Sequence, residues 1–365
     1  MFRKFFRKAS PQHVFGLSVI LVIITLSLGI ILYWQNFKNA EKGEILATQQ
    51  KSLVLVRAGA LVIDEFLKSR EGELMLLAQD EEAANLRNKD VVRKKLEIIV
   101  DKLADTPVSD AVRVDKEGKV VLVVNPERIT QGEGIDVFDR DYFLWAQKKE
   151  NRDKIFISQP ISPRGGAHPK EMIFTMTAPT YFNDQFTGLI FFSFRASQFT
   201  EKYVLPLRIY NQTYAFLITE EGVLIGGEAT EFLGKNLFDY TREKKWSGWE
   251  SYIVTLKQAF QGEGVGEWFF AAPNEQKPGW KIVAFSPIKI GEAKIALLAI
   301  TPKEASRSLF LDLSRSQNLI FILLVLALLA LILWDISLHL ARREGFLDGA
   351  KNGYAKGIVD GQKKT

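Results

Sequence analysis

The residue types best suited to chemistry are sparse in this chain, and their spacing excludes more than it suggests. There is no cysteine, so disulfides, thiol catalysis and Cys-containing zinc sites are ruled out. The only histidines are His13, His168 and His339, far apart in sequence. No phosphate-binding glycine loop or nucleophile elbow stands out. Carboxylates are plentiful, with 43 Asp and Glu residues, but no paired motif organises them. Catalysis, a metal centre and a bound cofactor are therefore not expected. The most regular spacing is of another kind: Gly345, Gly349, Gly353, Gly357 and Gly361 recur at every fourth position near the C-terminus. Each helical glycine costs about 0.8–1 kcal/mol relative to alanine, so an isolated helix carrying all of them loses about 4–5 kcal/mol. Against a partner helix the same spacing opens a groove for close backbone approach, as small-xxx-small pairs do in membranes. Phe346, Ala350, Tyr354 and Ile358 form an apolar row beside that groove. Both readings stand on the sequence: a helix-packing segment or a disordered tail.

Two apolar runs set the frame for everything between them. Val14 to Trp34 contains no charged residue, enough helix to cross a hydrocarbon slab of roughly 30 Å at about 1.5 Å per residue. Leu319 to Trp334 is shorter but is extended by weakly polar flanks into the headgroup zones. No small-residue cleavage site follows Trp34, so the first run reads as an uncleaved anchor. Arg3, Lys4, Arg7 and Lys8 precede it, and Arg342 and Arg343 follow the second. Basic flanks face the cytoplasm. The expected organisation is a basic N-terminus over 1–13, a transmembrane helix over 14–34, an extracytoplasmic stalk over 35–106, two sheet units over 107–208 and 209–305, a second transmembrane helix over 317–338 and a cytoplasmic tail over 339–365. This makes a two-pass protein of the bacterial inner membrane with both termini inside. It also leaves His13 and His339 on the cytoplasmic side, away from His168.

The formal charge of +5 does not indicate nucleic acid. The basic excess sits at the ends: residues 1–13 carry +4, and 342–365 carry six basic and three acidic side chains. The rest, with 38 basic and 40 acidic residues, is slightly negative. That distribution fits membrane topology and not a polyanion-binding face.

The region between the spans begins helically. Leu53, Val56, Ala60, Ile63, Leu67, Leu74 and Leu77 recur at helical spacing, interrupted at Arg70. The stripe packs either on the protein's own sheets or on a second copy. Asp90 reads as the N-cap of a following helix over 91–104, which Pro107 terminates. Beyond it, "AVRVDKEGKVVLVV" (111–124) places a polar turn between two alternating apolar runs, a hairpin pattern. "AFLITEEGVLIGG" (215–227) repeats it, Gly222 falling 104 positions after Gly118. "MIFTMTAPTYFNDQFTGLIFFSF" (172–194) and "WKIVAFSPIKIGEAKIALLAI" (280–300) form a second matched pair, with Pro287 108 positions after Pro179. Two landmarks at nearly one offset imply an internal duplication, each copy holding about five antiparallel strands and a helix after the hairpin.

These residues resemble a known family. "DRDYFLWA" (139–146), "FISQPI" (156–161), "APTYFNDQFTGLIFF" and "FSPIKIG...ITPKEAS", in this order over roughly 36–305, are similar to the double Cache sensor domain of bacterial receptors. The resemblance implies an α+β fold: a long N-terminal helix with two PAS-like antiparallel-sheet Cache subdomains, flanked by two transmembrane helices. It further implies a ligand pocket in the membrane-distal unit, with Arg140 and Tyr142 standing at the family's Arg-x-aromatic positions. Phe143, Trp145, Ile161, Ser162, Ser193 and Arg195 complete the expected ligand-binding set. A guanidinium offers a planar fork to a carboxylate; its bland alternative is a surface salt bridge from Arg140 to Asp139 or Asp141. Phe143 and Trp145, like Tyr142, could equally be core. The acids that would hold a ligand's ammonium group in the amino-acid-binding branch are missing at 161–163 and at Ser193, so an organic anion is the expected ligand. "SPRGGAHPKE" (162–171) resembles a flap, or is plain loop. The glycine string over 345–361 is similar to the repeat helix of the stator proteins of secretion ATPases, which implies helix pairing.

The expected function is a homodimeric membrane-bound sensor of a small molecule that signals to a separate cytoplasmic partner through the C-terminal tail, without an output domain of its own. Alternatives are a scaffold that docks an exported protein, and the sensor part of a truncated kinase, cyclase or chemoreceptor.

Overall fold

The computed structural model describes residues 11–245, 248–271, 278–306 and 321–332, the side chains of 11–19, 21 and 22 excepted. The glycine series over 345–361 lies outside these residues. The chain divides into two compact units: residues 1–42 with 308–365, and residues 43–307.

In the first unit, α1 (Pro11–Gln79) begins and residues 321–332 are also helical. Tyr33 stacks on Phe321 with ring centroids 4.9 Å apart. Ile20, Ile23, Leu28, Ile31, Ile322, Leu324 and Leu331 are all more than half exposed. Among the described residues, no helix is long and apolar enough to cross a membrane; parts of both expected spans lie outside that description.

In the second unit, the remainder of α1 supplies the apolar stripe. Val56, Ala60, Ile63, Leu67, Leu74 and Leu77 are buried, in one core with Phe192 and Phe194 of the first sheet and Leu217 and Leu297 of the second. Of the two partners open to this stripe, the protein's own sheets take it. The interruption at Arg70 is accommodated: its guanidinium lies 5.4 Å from the Phe66 ring centroid and bonds Glu73 at 3.0 Å. Two shorter helices follow, α2 (Glu81–Asn85) and α3 (Lys89–Lys102). The cap of α3 is Asn88 and not Asp90 as expected. Asn88 has extended backbone, and its side chain accepts from the Asp90 and Val91 amides, while Asp90 lies in the first turn.

Among the described residues, ten strands make two sheets of identical order. The first contains β1 (Val108–Asp115), β2 (Val120–Val124), β3 (Phe156–Ile157), β4 (Ile173–Phe182) and β5 (Gln185–Arg195), arranged β2-β1-β5-β4-β3. The second contains β6 (Tyr214–Thr219), β7 (Leu224–Gly227), β8 (Gly264–Phe270), β9 (Gly279–Ile290) and β10 (Ala293–Pro302), arranged β7-β6-β10-β9-β8. All pairings are antiparallel. The duplication extends to single bonds. Gly118 and Gly222 turn their hairpins at φ 88° and 94°, a region glycine enters without steric cost. Each then accepts, at 2.7 Å, the amide of the residue that starts the return loop, Val137 or Leu237. The helices after the hairpins are α4 (Asp141–Ala146) in the first unit copy, and α6 (Leu237–Glu243) with α7 (Trp249–Gln258) in the second; α5 (Ala196–Phe199) joins the copies. Each sheet therefore has one face on α1 and the other on its own cluster: Val112, Tyr142 and Phe191 in the first, Phe216, Tyr252 and Leu298 in the second.

Candidate functional site

The outer face of the first sheet carries a buried carboxylate. Period-2 alternation sends Ala111 and Arg113 toward the helical side and Asp110, Val112 and Val114 outward. Asp110 pairs with Ser193 across β1 and β5, where a bulge shifts the register. Its Oδ2 accepts from Ser109 Oγ at 2.6 Å and Ser193 Oγ at 2.9 Å, and Oδ1 accepts from Asn125 Nδ2 at 3.1 Å. The side chain is 6 % exposed, and among the described residues no basic group pairs with it. Its partners among the described residues are neutral hydrogen-bond donors.

Above it lies a cavity of about 50 Å³, lined also by Val112, Val123, Arg140, Tyr142, Ile161 and Phe191. Arg140 is the N-cap residue of α4. Its Nη2 donates to the Ser162 carbonyl at 3.0 Å, and it pairs with no carboxylate among the described residues. The Arg140 charge acts on both Asp139 and Asp141 without a direct bond to either among the described residues, and Asp139 is gripped by Arg164 through Nη1–Oδ1 at 2.7 Å and Nη2–Oδ2 at 2.5 Å. Those hydrogen bonds hold the Asp139 carboxyl down at about 2. Burial raises Asp141 above its ordinary value, and raises the Tyr142 phenol far above its own. Tyr142 packs on Phe191 with centroids 5.3 Å apart.

Residues 163–166 of the 162–171 loop line one side of the cavity. Gly166 N donates to Gln131 O at 2.6 Å, and Ala167 N approaches Asp110 Oδ1 at 3.4 Å. Gly165 lies so close to the loop below that a Cβ there would stand 2.6 Å from the Gly132 Cα. Two glycines in contact let the flap settle directly onto the 130–135 loop. Arg164, gripping Asp139 and the Asp136 carbonyl at 2.7 Å, latches it. At roughly 10–15 Å³ per water, the cavity has room for only a few waters.

The structure brings Arg140, Tyr142, Ile161 and Ser193 together at this cavity, while Ser162 contributes its carbonyl to Arg140. Three expected residues lie elsewhere. Phe143 is buried and meets Phe186 at 6.1 Å, and Trp145 stacks on Phe156 at 5.2 Å, because a helix packed on a sheet turns alternate faces inward. Arg195 is held at the base of the flap by His168 Nε2 at 3.1 Å and Glu171 at 3.8 Å. Two lining residues, Asp110 and Arg164, were missed by sequence reasoning. Asp110 meets Ser193 through the β1–β5 pairing, 83 positions apart in sequence, which no local pattern shows. Asp110 thus places a carboxyl beside Ser193 from the neighbouring strand.

This fold defines a class: two antiparallel five-stranded sheets of one order behind a single long helix. The chain matches the Cache domain family model over residues 37–295, and it belongs to that family. Among curated proteins nothing matches it. Solved structures share the fold. The ligand-binding domain of the Pseudomonas aeruginosa chemoreceptor PctB, in complex with L-Arg, is 16% identical with a TM-score of 0.53, over 72% of this chain and 90% of that one. The ligand-binding domain of the Pseudomonas fluorescens chemoreceptor CtaA, in complex with L-serine, is 15% identical with a TM-score of 0.50, over 71% and 98%. An extracellular ligand-binding receptor from Desulfohalobium retbaense is 16% identical with a TM-score of 0.51; the match covers 67% of this chain and only 39% of that receptor.

Proposed function

We propose that the chain is an extracytoplasmic sensor, anchored by two transmembrane helices, whose distal cavity binds a small carboxylate-bearing solute. The carrying observation is the pairing, beneath one flap, of a guanidinium without a carboxylate and a buried carboxylate without a cation. Arg140 takes the ligand's carboxylate as a fork. Asp110 faces an ammonium, which makes an amphoteric solute a better guest than a simple anion. The amino acids named with the PctB and CtaA domains fit the same pattern. Binding lifts and reseats the flap, biasing two packings of the molecule.

The two anchors rest on the uncharged run 14–34, on the run 319–334 and on the basic residues that flank them. The exposed apolar side chains of the first unit support them. The signal then reaches the cytoplasm through the second span, where the glycine-repeat helix pairs with a partner. A homodimer would use a different face of α1 from the buried stripe: Leu46, Val54, Leu61 and Leu76 are each more than half exposed.

A thermal-shift screen of the full chain in lipid nanodiscs tests the pocket. Amino acids are expected to stabilise it, matched monocarboxylates less and matched amines least. Absence of any shift across the panel would sink the reading. Protease access near Gly222 in intact cells tests the topology: cleavage from outside is expected, and cleavage from the cytosol alone contradicts it.

A further inference from the structure

The second sheet has a larger cavity in the equivalent place. It lies between the outer face of β6, β7 and β10 and the covering segments, and has about 250 Å³ of room. The register shows how the two sites diverged. Asp110 and Ser193 are cross-strand partners at the distal floor; Tyr214 and Ile300 are cross-strand partners here, and both line the cavity. Tyr214 stands eight positions before Gly222, as Asp110 stands eight before Gly118. The duplicated position has thus exchanged a carboxylate and a hydroxyl for a phenol and an aliphatic chain. Leu224, Leu237 and Tyr252 continue the apolar wall.

Charge differs as well. The distal cavity is lined by Arg140 and Arg164, whereas among the described residues no basic side chain lines this one. Its charged lining is Glu228 and Glu231. Glu228 is neutralised by Arg208, whose Nη2 donates to Oε2 at 2.6 Å. Glu231 is exposed and pairs with no cation among the described residues. An anion would meet the Glu231 carboxylate, while the Arg208 guanidinium is already taken by Glu228. A positively charged head would meet Glu231 while leaving its apolar body inside. An apolar cavity of about 150 Å³ suffices for benzene, so this one has space for a ring and a short side chain.

We propose that this proximal cavity is a second binding site, taking a small arylalkylamine whose ring lies among Leu224, Leu237 and Tyr252 and whose ammonium meets Glu231. It is independent of the distal site and of opposite chemical preference. Calorimetric titration of the full chain in nanodiscs, corrected against empty nanodiscs, tests it with 2-phenylethylamine and phenylacetate as probes. The amine is expected to bind saturably and phenylacetate at least about tenfold more weakly. Glu231→Gln, on the surface, should weaken the amine about twofold to fivefold, the range of an exposed ion pair. Ala229→Phe, which fills the cavity, should abolish binding in a variant whose melting shows it folded. The proposal is overturned by no saturable binding of the amine, by equal binding of phenylacetate, or by binding that is untouched by Glu231→Gln. Binding lost on Arg140→Ala but kept in Ala229→Phe would place the amine in the distal cavity and overturn it too.

Discussion

Arg113 carries a charge into the core between the first sheet and α2. It is fully buried, and burial pulls its pKa down to about 9, still protonated at neutral pH. Five carbonyls receive it: Ala83 at 2.8 Å, Ala84 at 2.9 Å, Thr187 at 3.1 Å, Leu189 at 3.4 Å, and Val114. Arg113→Met leaves those acceptors without a donor and should cost about 2–4 kcal/mol in chemical denaturation. Arg113→Lys should recover less than half, because a point charge cannot span the fan of carbonyls. Neither Arg113 nor Asp110 was legible as buried, because both faces of β1 are covered. Apolar and polar residues then occur on each face, and alternation cannot tell a pocket floor from a solvated edge. Arg140, by contrast, was legible only because it stands at the Arg-x-aromatic position of the family the sequence resembles; its own surroundings gave no such signal.

At the scale of elements, the flap and the helix caps carry the testable content. The carboxyl of Asp139 is lower in the folded chain than its ordinary value of 3.8, at about 2. A depressed carboxyl stabilises the latched form above pH about 4 and loses that contribution as pH falls through about 2. Amide exchange of Gly166, corrected for its intrinsic rate, should therefore rise between pH 4 and 2 and stay level from 5 to 7. Arg164→Ala at pH 7 should raise it about twofold to fivefold, the yield of an exposed pair. Asn88→Ala should cost about 1 kcal/mol in thermal denaturation and Asp90→Ala clearly less. The helix itself was plain from its periodicity, but Asn88 and Asp90 both suit a cap, and only backbone conformation separates them. The flap was legible as a loop; its closure depends on contact between Gly132 and Gly165, thirty-three positions apart in sequence, which no local pattern shows.

For the whole molecule, the duplication was the most legible feature, since turn glycines and strand prolines at matching offsets fix two sheets of one order. The unequal chemistry of the two cavities was not, because it arises from cross-strand partners. The proposed homodimer through the exposed face of α1 gives a prediction at this scale: the chain should sediment as a dimer, and Leu61→Glu should make it a monomer without lowering its melting temperature, Leu61 being 63% exposed; a wild type that sediments as a monomer contradicts the proposed dimer. The central claim is amphoteric recognition in the distal cavity. Calorimetric affinity of the most stabilising amino acid for the wild type, Arg140→Ala and Asp110→Asn tests it most directly. The account predicts that each substitution weakens binding about tenfold or more; an affinity unchanged in both variants would contradict it.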